Sequence, residues 1–308
     1  MKKTIIILLL TALSLTIMSN MAGAEKLRIG FSISTLNNPF FVSLKEEAEK
    51  TAENENVELL VVDAQNDSSK QLTDVEDLLQ RDIDVIVLDP VNGDSIIPAI
   101  KRANQADIPV VTIDRKPNLE LGGEIVTHSA SDNVTAGRIS AEYIAEKLNE
   151  EGKIVVLEGT PGTSAAVDRT EGFINKINEY KNIEIVAQQA AGFNRAEGMS
   201  VMEDILQSNN EIDAVYAQND EMALGALRAI NNKKMSKDIV ITGIDATNDG
   251  LQAVKNGEID MTITMRPDLM GKNAVELAIG AYNGESYPSF IEIPIEPVNK
   301  DNVAEYLK

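Results

Sequence analysis

The sequence predicts an α/β fold built from two doubly wound parallel-sheet lobes, because short apolar runs alternate with helical patterns along most of the chain. Several of the runs are apolar almost throughout, which is typical of strands buried on both faces of a parallel sheet. Nine such units exceed one ordinary sheet, so we expect two lobes. The predicted strands are Leu27–Ile33, Val57–Val62, Val85–Leu88, Val110–Ile113, Lys153–Leu157, Ile183–Ala187, Ala214–Ala217, Ile239–Ile244 and Met261–Thr264.

A capped helix follows the first predicted strand. Asn38 can accept a hydrogen bond from the first turn, and Pro39 has a backbone φ suited to the first helical position. Phe41, Leu44 and Ala48 then recur at helical spacing and indicate one buried face. Similar apolar faces recur between the later strands, which completes the alternation that a parallel sheet requires.

The first residues are typical of a secretory signal peptide. Lys2 and Lys3 precede the apolar run Thr4–Met18, and small residues at Ala22–Ala24 suit cleavage near Ala24. The apolar run is shorter than the roughly 20 residues that a membrane-spanning helix needs. We therefore expect residues 1–24 to be removed and the mature protein to be periplasmic.

Composition excludes several classes of function. The sequence contains no Cys, which rules out disulfides, thiolate metal sites, a cysteine nucleophile and lipid attachment at the cleavage point. The formal net charge is −21 at pH 7, and such a surface repels nucleic acid and anionic lipid. We therefore expect no nucleic-acid partner.

Cofactor and metal motifs are also missing. No G-x-x-x-x-G-K motif occurs, and no G-x-G-x-x-G follows the first strand. Gly159–Ser164 lacks a phosphate-binding Lys and is better interpreted as a turn that caps the next helix. Asp245–Gly250 partly matches a calcium loop, but Thr247 stands at the third ligand position and Asn256 stands where a bidentate Glu is needed. We therefore interpret this segment as a helix N-cap. We expect no cofactor and no metal.

Function is expected at the carboxyl ends of the predicted strands, because ligands bind there in open α/β sheets. Polar residues and a few aromatics occupy these positions, and two lobes facing each other would form a cleft of sugar size. The candidate positions are Ser34–Phe41, Asp89, Asp114-Arg115, Gly159–Arg169, Phe193, Asn219-Asp220, Asp245 and Met265.

Two kinds of function fit these residues. Carboxylates that follow strands could serve a glycosidase as an acid and a base, or could accept hydrogen bonds from the hydroxyls of a bound sugar. The four carboxylates are Asp89, Asp114, Asp220 and Asp245. The only histidine, His128, has no G-x-S-x-G partner motif and is interpreted as a hydrogen-bonded structural residue. The residues alone leave the choice open.

Five blocks of the sequence resemble ribose-binding members of the type I periplasmic sugar-binding protein family. They occur in the family's order and spacing, and the similarity covers essentially the whole mature chain. The blocks are Ser34–Phe41, Thr112–Arg115, Ala130–Val134, Gly162–Ala166 and Ala217–Ala226.

The resemblance implies two lobes joined by a hinge of three chain crossings, and a binding protein, not an enzyme. The crossings are expected near Ser131-Asp132, Met265-Arg266 and Pro294-Ile295. One lobe would contain residues 25–131 and 266–294, and the other residues 132–265 and 295–308. The family also implies a monomer that delivers a monosaccharide to an ABC sugar permease, with a chemotaxis receptor as a further partner.

The resemblance also implies the binding residues. Phe40 and Phe41 would pack on one face of the sugar ring and Phe193 on the other. The polar residues that it implies are Ser34, Asn38, Asp114, Arg115, Arg169, Asn219 and Asp245.

Three positions depart from the pattern of the ribose-binding members. Asp89 stands where they have Asn, Ile244 where they have an aromatic residue, and Met265 where they have Gln. Asp89 can only accept hydrogen bonds when ionised, and Met265 cannot donate any. We expect a ligand with a hydroxyl donor facing Asp89. Ribose is the leading candidate, and another pentose, a ketose or a small polyol stays open.

Overall fold

The structure is a computed structural model that describes residues 26–208, 211–234 and 238–307. The predicted signal peptide lies outside the described residues. Within them, no helix is both long and apolar enough to cross a membrane.

Twelve strands and nine α-helices occur along the described residues, and nine of the strands correspond to the predicted apolar runs. The strands are β1 Arg28–Ile33, β2 Glu58–Asp63, β3 Val85–Leu88, β4 Val110–Ile113, β5 Thr127–Ser131, β6 Glu151–Glu158, β7 Asn182–Ala190, β8 Ala214–Ala217, β9 Val240–Thr242, β10 Met261–Ile263, β11 Phe290–Ile293 and β12 Pro297–Asn299. The helices are α1 Pro39–Asn54, α2 Ser68–Leu79, α3 Ile97–Gln105, α4 Asn133–Lys147, α5 Ser164–Ile177, α6 Arg195–Ser208, α7 Asp220–Lys233, α8 Asn248–Asn256 and α9 Pro267–Tyr282. Two 3₁₀ turns cover Leu119–Leu121 and Val303–Glu305.

The strands form two six-stranded sheets, one in each lobe. Their orders are β11-β5-β4-β3-β1-β2 and β12-β10-β9-β8-β6-β7, and every neighbouring pair is parallel except β10 with β12. The strand order reverses beside β1 in the first sheet and beside β6 in the second. Ligand sites of open α/β sheets lie at such switch points. The predicted fold class is confirmed.

The chain passes three times from one sheet to the other. It leaves the first sheet after Ser131, returns to it after Ile263, and leaves it again between Ile293 and Pro297. At this hinge the Ser131 hydroxyl donates a hydrogen bond to the Met265 carbonyl over 3.2 Å.

Close helix packing positions part of the site in the second lobe. A methyl group on Gly172 of α5 would lie 1.9 Å from the Val134 carbonyl oxygen of α4. A methyl group on Gly137 of α4 would lie 2.2 Å from the Arg169 carbonyl oxygen of α5. The two glycines therefore let the helices approach closely enough to fix α5, which carries Arg169.

Candidate functional site

A small cavity lies between the lobes, at the carboxyl ends of strands from both sheets. The empty space among its lining atoms, open solvent included, is about 280 Å³. Nine of the thirteen residues predicted from the sequence line it, together with Ala165. The ten lining residues are Asn38, Phe40, Phe41, Asp114, Arg115, Ala165, Arg169, Phe193, Asn219 and Asp245.

Three aromatic rings contribute to the cavity wall. Phe40 and Phe41 begin α1 in the first lobe and pack edge to face, with ring centroids 5.2 Å apart. Phe193 comes from the second lobe, on a turn where its backbone φ is +57°. Its ring tip rests against Gly159, and a methyl group on Gly159 would lie only 2.0 Å from Phe193 Cζ. A glycine at the end of β6 is therefore needed to seat this ring.

Two buried arginines lie beside these rings. The Arg115 guanidinium is 5.2 Å from the Phe41 ring centroid and 6.0 Å from that of Phe193. The Arg169 guanidinium is 5.6 Å from the Phe193 centroid. Arg115 is only 3% exposed, yet its Nε and Nη1 have no hydrogen-bond partner in the protein. Buried donors are normally satisfied, so these two N–H groups point to a polar ligand.

Arg169 is held more completely by the second lobe. Its Nε donates to Asn133 Oδ1 over 2.8 Å and its Nη1 donates to the Gln218 carbonyl over 2.5 Å. Its Nη2 lies 3.6 Å from Asp245 Oδ1. Arg169 is only 4% exposed, although it lies on a helix and carries a full charge.

Asp114 and Asp245 provide buried carboxylates from opposite lobes. Both have left-handed backbone conformations, with φ of +54° at Asp114 and +123° at Asp245. Such conformations are costly for residues with a Cβ and cluster at binding sites. Burial raises the pKa of both carboxyl groups, and nearby arginines partly oppose that rise: Arg115 and Arg169 for Asp114, and Arg169 for Asp245.

Asn38 and Asn219 combine two roles. The Asn38 side chain caps α1 by accepting from the Phe40 N–H over 2.9 Å, and the Asn219 side chain caps α7 by accepting from the Met222 N–H over 3.0 Å. Asn219 Nδ2 also donates to the Phe193 carbonyl over 3.3 Å. Both side chains line the cavity as well, so capping orients them toward it.

The structure does not bring the other four predicted residues to the cavity wall. Ser34, Asp89, Ile244 and Met265 are all fully buried behind it. Asp89 Oδ2 accepts from the Ser34 N–H over 3.0 Å, while Asp89 Oδ1 has no hydrogen-bond partner. Burial raises the pKa of Asp89 to about 7, against an opposing effect of Arg115.

Asp220 has a supporting role that sequence reasoning missed. Its carboxylate accepts from the Thr247 N–H over 2.7 Å, from the Thr247 hydroxyl over 3.0 Å and from the Thr262 hydroxyl over 2.6 Å. A methyl group on Gly243 or Gly250 would lie 2.4 or 2.2 Å from its carboxylate oxygens. Asp220 thus fixes the loop that carries Asp245, and burial raises its pKa to about 6.

The remaining sequence interpretations concern structural features. His128 Nδ1 lies 3.0 Å from the Thr112 hydroxyl, and burial lowers the pKa of the histidine to about 4. Thr163 caps α5 and Thr247 caps α8, as the turn and N-cap interpretations expected. Across the part of the chain that the structure describes, no group of acidic or histidine side chains could hold a metal ion.

Comparison with known proteins identifies relatives over nearly the whole chain. A model of the periplasmic binding protein domain matches residues 29–286. The ribose import binding protein RbsB of Bacillus subtilis is 43% identical over 278 residues, which cover 90% of this chain and 89% of that protein. RbsB of Escherichia coli K12 is 41% identical over 300 residues, covering 97% and 99% of the two chains.

Solved structures of solute-binding proteins also resemble this chain over most of its length. An ABC transporter solute-binding protein from Bacillus halodurans, with bound myo-inositol, has a TM-score of 0.86 and 36% identity and covers 92% of this chain and 99% of its own. One from Actinobacillus succinogenes, with bound D-allose, has a TM-score of 0.86 and 28% identity, at 91% and 100% coverage. These relatives are binding proteins, so the glycosidase alternative has no support. The chain belongs to the type I periplasmic sugar-binding protein family, the solute-binding components of ABC importers.

Proposed function

We propose that this protein captures a neutral monosaccharide in the cavity between its lobes, with D-ribose as the leading candidate, and delivers it to an ABC sugar permease. Two relatives at 41–43% identity are ribose import binding proteins, which favours ribose over the ligands of the more distant solved structures.

The observation that carries this proposal is the combination of aromatic rings with unsatisfied buried polar atoms. A sugar ring has apolar C–H faces and hydroxyl groups around its edge. The faces would pack between Phe41 and Phe193. The hydroxyls would accept from the free Arg115 Nε and Nη1 groups and donate to Asp114 and Asp245, which satisfies both kinds of group.

Charge in the cleft favours a neutral, hydroxyl-rich ligand. Three buried carboxylates, Asp89, Asp114 and Asp245, surround two buried guanidinium groups, Arg115 and Arg169. Burial raises the pKa of all three carboxyl groups, so this region solvates negative charge poorly, and an anionic sugar would add to that cost. Hydroxyl groups can instead donate to carboxylates without adding charge. Sugar phosphates and sugar acids should therefore bind weakly.

Ligand choice would depend on Asp89 and Met265 indirectly. Both lie behind the cavity wall, so they would act by setting the position and polarity of the residues in front of them. Asp89 binds the backbone of Ser34, at the start of the loop that carries Asn38 and Phe40. In this arrangement the ligand need not direct a hydroxyl donor at Asp89 itself.

A thermal-shift screen followed by isothermal titration calorimetry tests the ligand assignment. The panel contains D-ribose, other pentoses, D-allose, D-psicose, myo-inositol and ribose 5-phosphate. We expect the largest shift with D-ribose or a close neutral relative and none with the phosphate. A Lys272→Met variant, which alters an exposed pair with Glu276 that does not line the cavity, is the control. No shift with any neutral sugar would refute the proposal.

Delivery requires that the lobes open and close about the hinge. We propose that the lobes have the boundaries expected from the sequence, residues 25–131 with 266–294 and residues 132–265 with 295–308. This division is supported by the three passages of the chain between sheets. Small-angle scattering should show a smaller radius of gyration with the bound sugar than without it.

Three further properties follow from family membership as part of the proposal. Residues 1–24 act as a signal peptide cleaved near Ala24, the mature protein is a monomer, and a chemotaxis receptor is a further partner. N-terminal sequencing of the exported protein, sedimentation analysis and a capillary chemotaxis assay in a deletion strain test these properties separately.

A further inference from the structure

Polar contacts join the two lobes along one edge of the cleft, outside the cavity wall. Asn92 Nδ2 donates to the Gly162 carbonyl over 3.2 Å, and the Lys116 N–H donates to the Ser164 hydroxyl over 2.9 Å. Lys116 Nζ also pairs with Asp168 Oδ2 over 2.7 Å. Asn92 and Lys116 follow strands of the first sheet, whereas the other three residues belong to the second lobe.

Each side of this edge is held in place by its own lobe. Asn92 Oδ1 accepts from the N–H groups of Asp94 and Ser95, both over 3.0 Å, which orients the amide toward the other lobe. Gly162 has a φ of +81°, a conformation that suits glycine and sets the direction of its carbonyl. The contacts therefore need little reorganisation when the lobes meet.

The same two segments carry the cavity residues. Lys116 directly follows Asp114 and Arg115, and Asp168 directly precedes Arg169 on α5. Ser164 and Asp168 are four residues apart and so share one face of that helix. A movement that separates Asp114 from Arg169 would also separate Lys116 from Asp168.

The opposite edge of the cleft lacks such contacts. A groove there shares Phe40 and Asp245 with the cavity and is otherwise lined by residues such as Ser43, Thr247 and Arg266. Among residues 26–208, 211–234 and 238–307, no hydrogen bond or ion pair crosses this groove between the lobes. Apart from contacts at the hinge itself, such as that between Ser131 and Met265, the polar contacts between the lobes in the described residues therefore lie along one edge.

We infer that Lys116, Ser164 and Asp168, with Asn92 and Gly162, form an interlobe latch that slows release of the bound ligand without contacting it. The contacts exist only when the lobes are closed, so they favour the closed state whatever occupies the cavity. The latch residues are positioning residues: they should change the affinity for every ligand by the same factor and leave the preference between ligands unchanged.

The effect should be modest, because the Lys116 side chain is 55% exposed and exposed ion pairs contribute little. We expect Lys116→Met and Asp168→Asn each to raise the dissociation rate by about two- to fivefold, with the association rate nearly unchanged. The double variant should release the ligand no faster than the faster of the two single variants, since both substitutions remove the same ion pair. Lys116→Arg keeps the positive charge and should have a dissociation rate close to that of the wild type.

Stopped-flow measurements with D-ribose give these rates, at low and high salt. Salt should reduce the difference between wild type and Lys116→Met, because screening weakens the exposed pair. Lys45→Met is the matched control: it removes an ion pair with Glu49 over 2.6 Å that lies within α1 and does not cross the cleft. Rates equal to those of the control would overturn the inference.

A second measurement needs no ligand. The chain has no Cys, so dyes can be attached at Lys50→Cys in the first lobe and Lys181→Cys in the second. Single-molecule energy transfer should show a smaller closed population in Lys116→Met than in Lys45→Met. If the wild type fails to bind D-ribose but this shift is seen, the ligand assignment fails and the latch stands; equal closed populations would refute the latch.

Discussion

The contact between Gly159 and the Phe193 ring provides a test of whether this ring packs on the ligand. Gly159 directly follows β6, and its N–H donates to Gln218 Oε1 over 2.8 Å. Its φ lies outside the left-handed region, so an alanine can adopt the same backbone conformation. The new methyl group would, however, lie 2.0 Å from Phe193 Cζ and 2.2–2.3 Å from the adjoining ring carbons. Gly159→Ala therefore acts on the ring and leaves the backbone as it is.

The size of the effect follows from the contact distances. Carbon atoms in favourable contact lie about 3.5–4.0 Å apart, so the ring tip must retreat by about 1.5 Å or more. The Phe193 backbone resists a compensating shift, because its φ is already +57° and its carbonyl accepts from Asn219. Overpacking of this kind costs about 1–3 kcal/mol. If that cost falls on the bound state, sugar affinity should drop by about five- to 150-fold.

Calorimetric titration of Gly159→Ala, Phe193→Ala and the double variant measures this effect. We expect Gly159→Ala to weaken binding strongly in the wild-type background and to have almost no effect once Phe193 is replaced by Ala. Circular dichroism and the melting temperature check that each variant is folded. Wild-type affinity in a folded Gly159→Ala variant would show that the Phe193 ring does not pack on the ligand.

Three further predictions concern buried carboxylates. Asp114→Ala should weaken sugar binding by about tenfold or more in calorimetry, since hydrogen bonds to charged groups contribute about 1.5–3 kcal/mol; unchanged affinity would place the sugar elsewhere. Asp220→Asn replaces one acceptor oxygen by a donor NH₂ group beside Thr247 and Thr262, so the sugar affinity and the melting temperature should both fall. If neither changes, Asp220 does not position the loop. For Asp89, the folded pKa of about 7 exceeds the ordinary value of 3.8, so its contribution to stability is present below pH 3.8 and is lost as pH rises through 7. In urea unfolding without ligand, Asp89→Asn should therefore gain stability relative to wild type between pH 4 and pH 8, and a constant difference would contradict the raised pKa.

Local sequence signals predicted most of the strands and helices and most of the residues that line the cavity. Apolar runs and cap residues depend on near neighbours in the chain, which is why β1, β3 and the Asn38 cap were predictable. The edge strands β11 and β12 were not predicted, because they are short and partly polar, with sequences FIEI and PVN. Their place in the sheets depends on neighbours far away in the chain.

The site departs from the sequence prediction where side-chain direction and distant contacts decide the outcome. Asp89 follows β3 directly, as Asp114 follows β4, yet only Asp114 reaches the cavity, while Asp89 binds the backbone of Ser34. The role of Asp220 depends on Thr247 and Thr262, which lie 27 and 42 residues further along the chain. No periodicity or local motif records such contacts.

The charges of the cleft and the latch act on the same equilibrium in opposite directions. Closure without ligand removes water from carboxylates such as Asp114 and Asp245, whose pKa values rise as a result, and leaves two N–H groups of Arg115 unsatisfied. These costs favour the open state. The Lys116 contacts favour the closed state but are individually weak, because they lie at an exposed edge. A ligand whose hydroxyls satisfy the buried groups removes the larger opposing cost. Closure therefore depends on a hydroxyl-rich ligand, and the latch then modestly lengthens the time that this ligand stays bound.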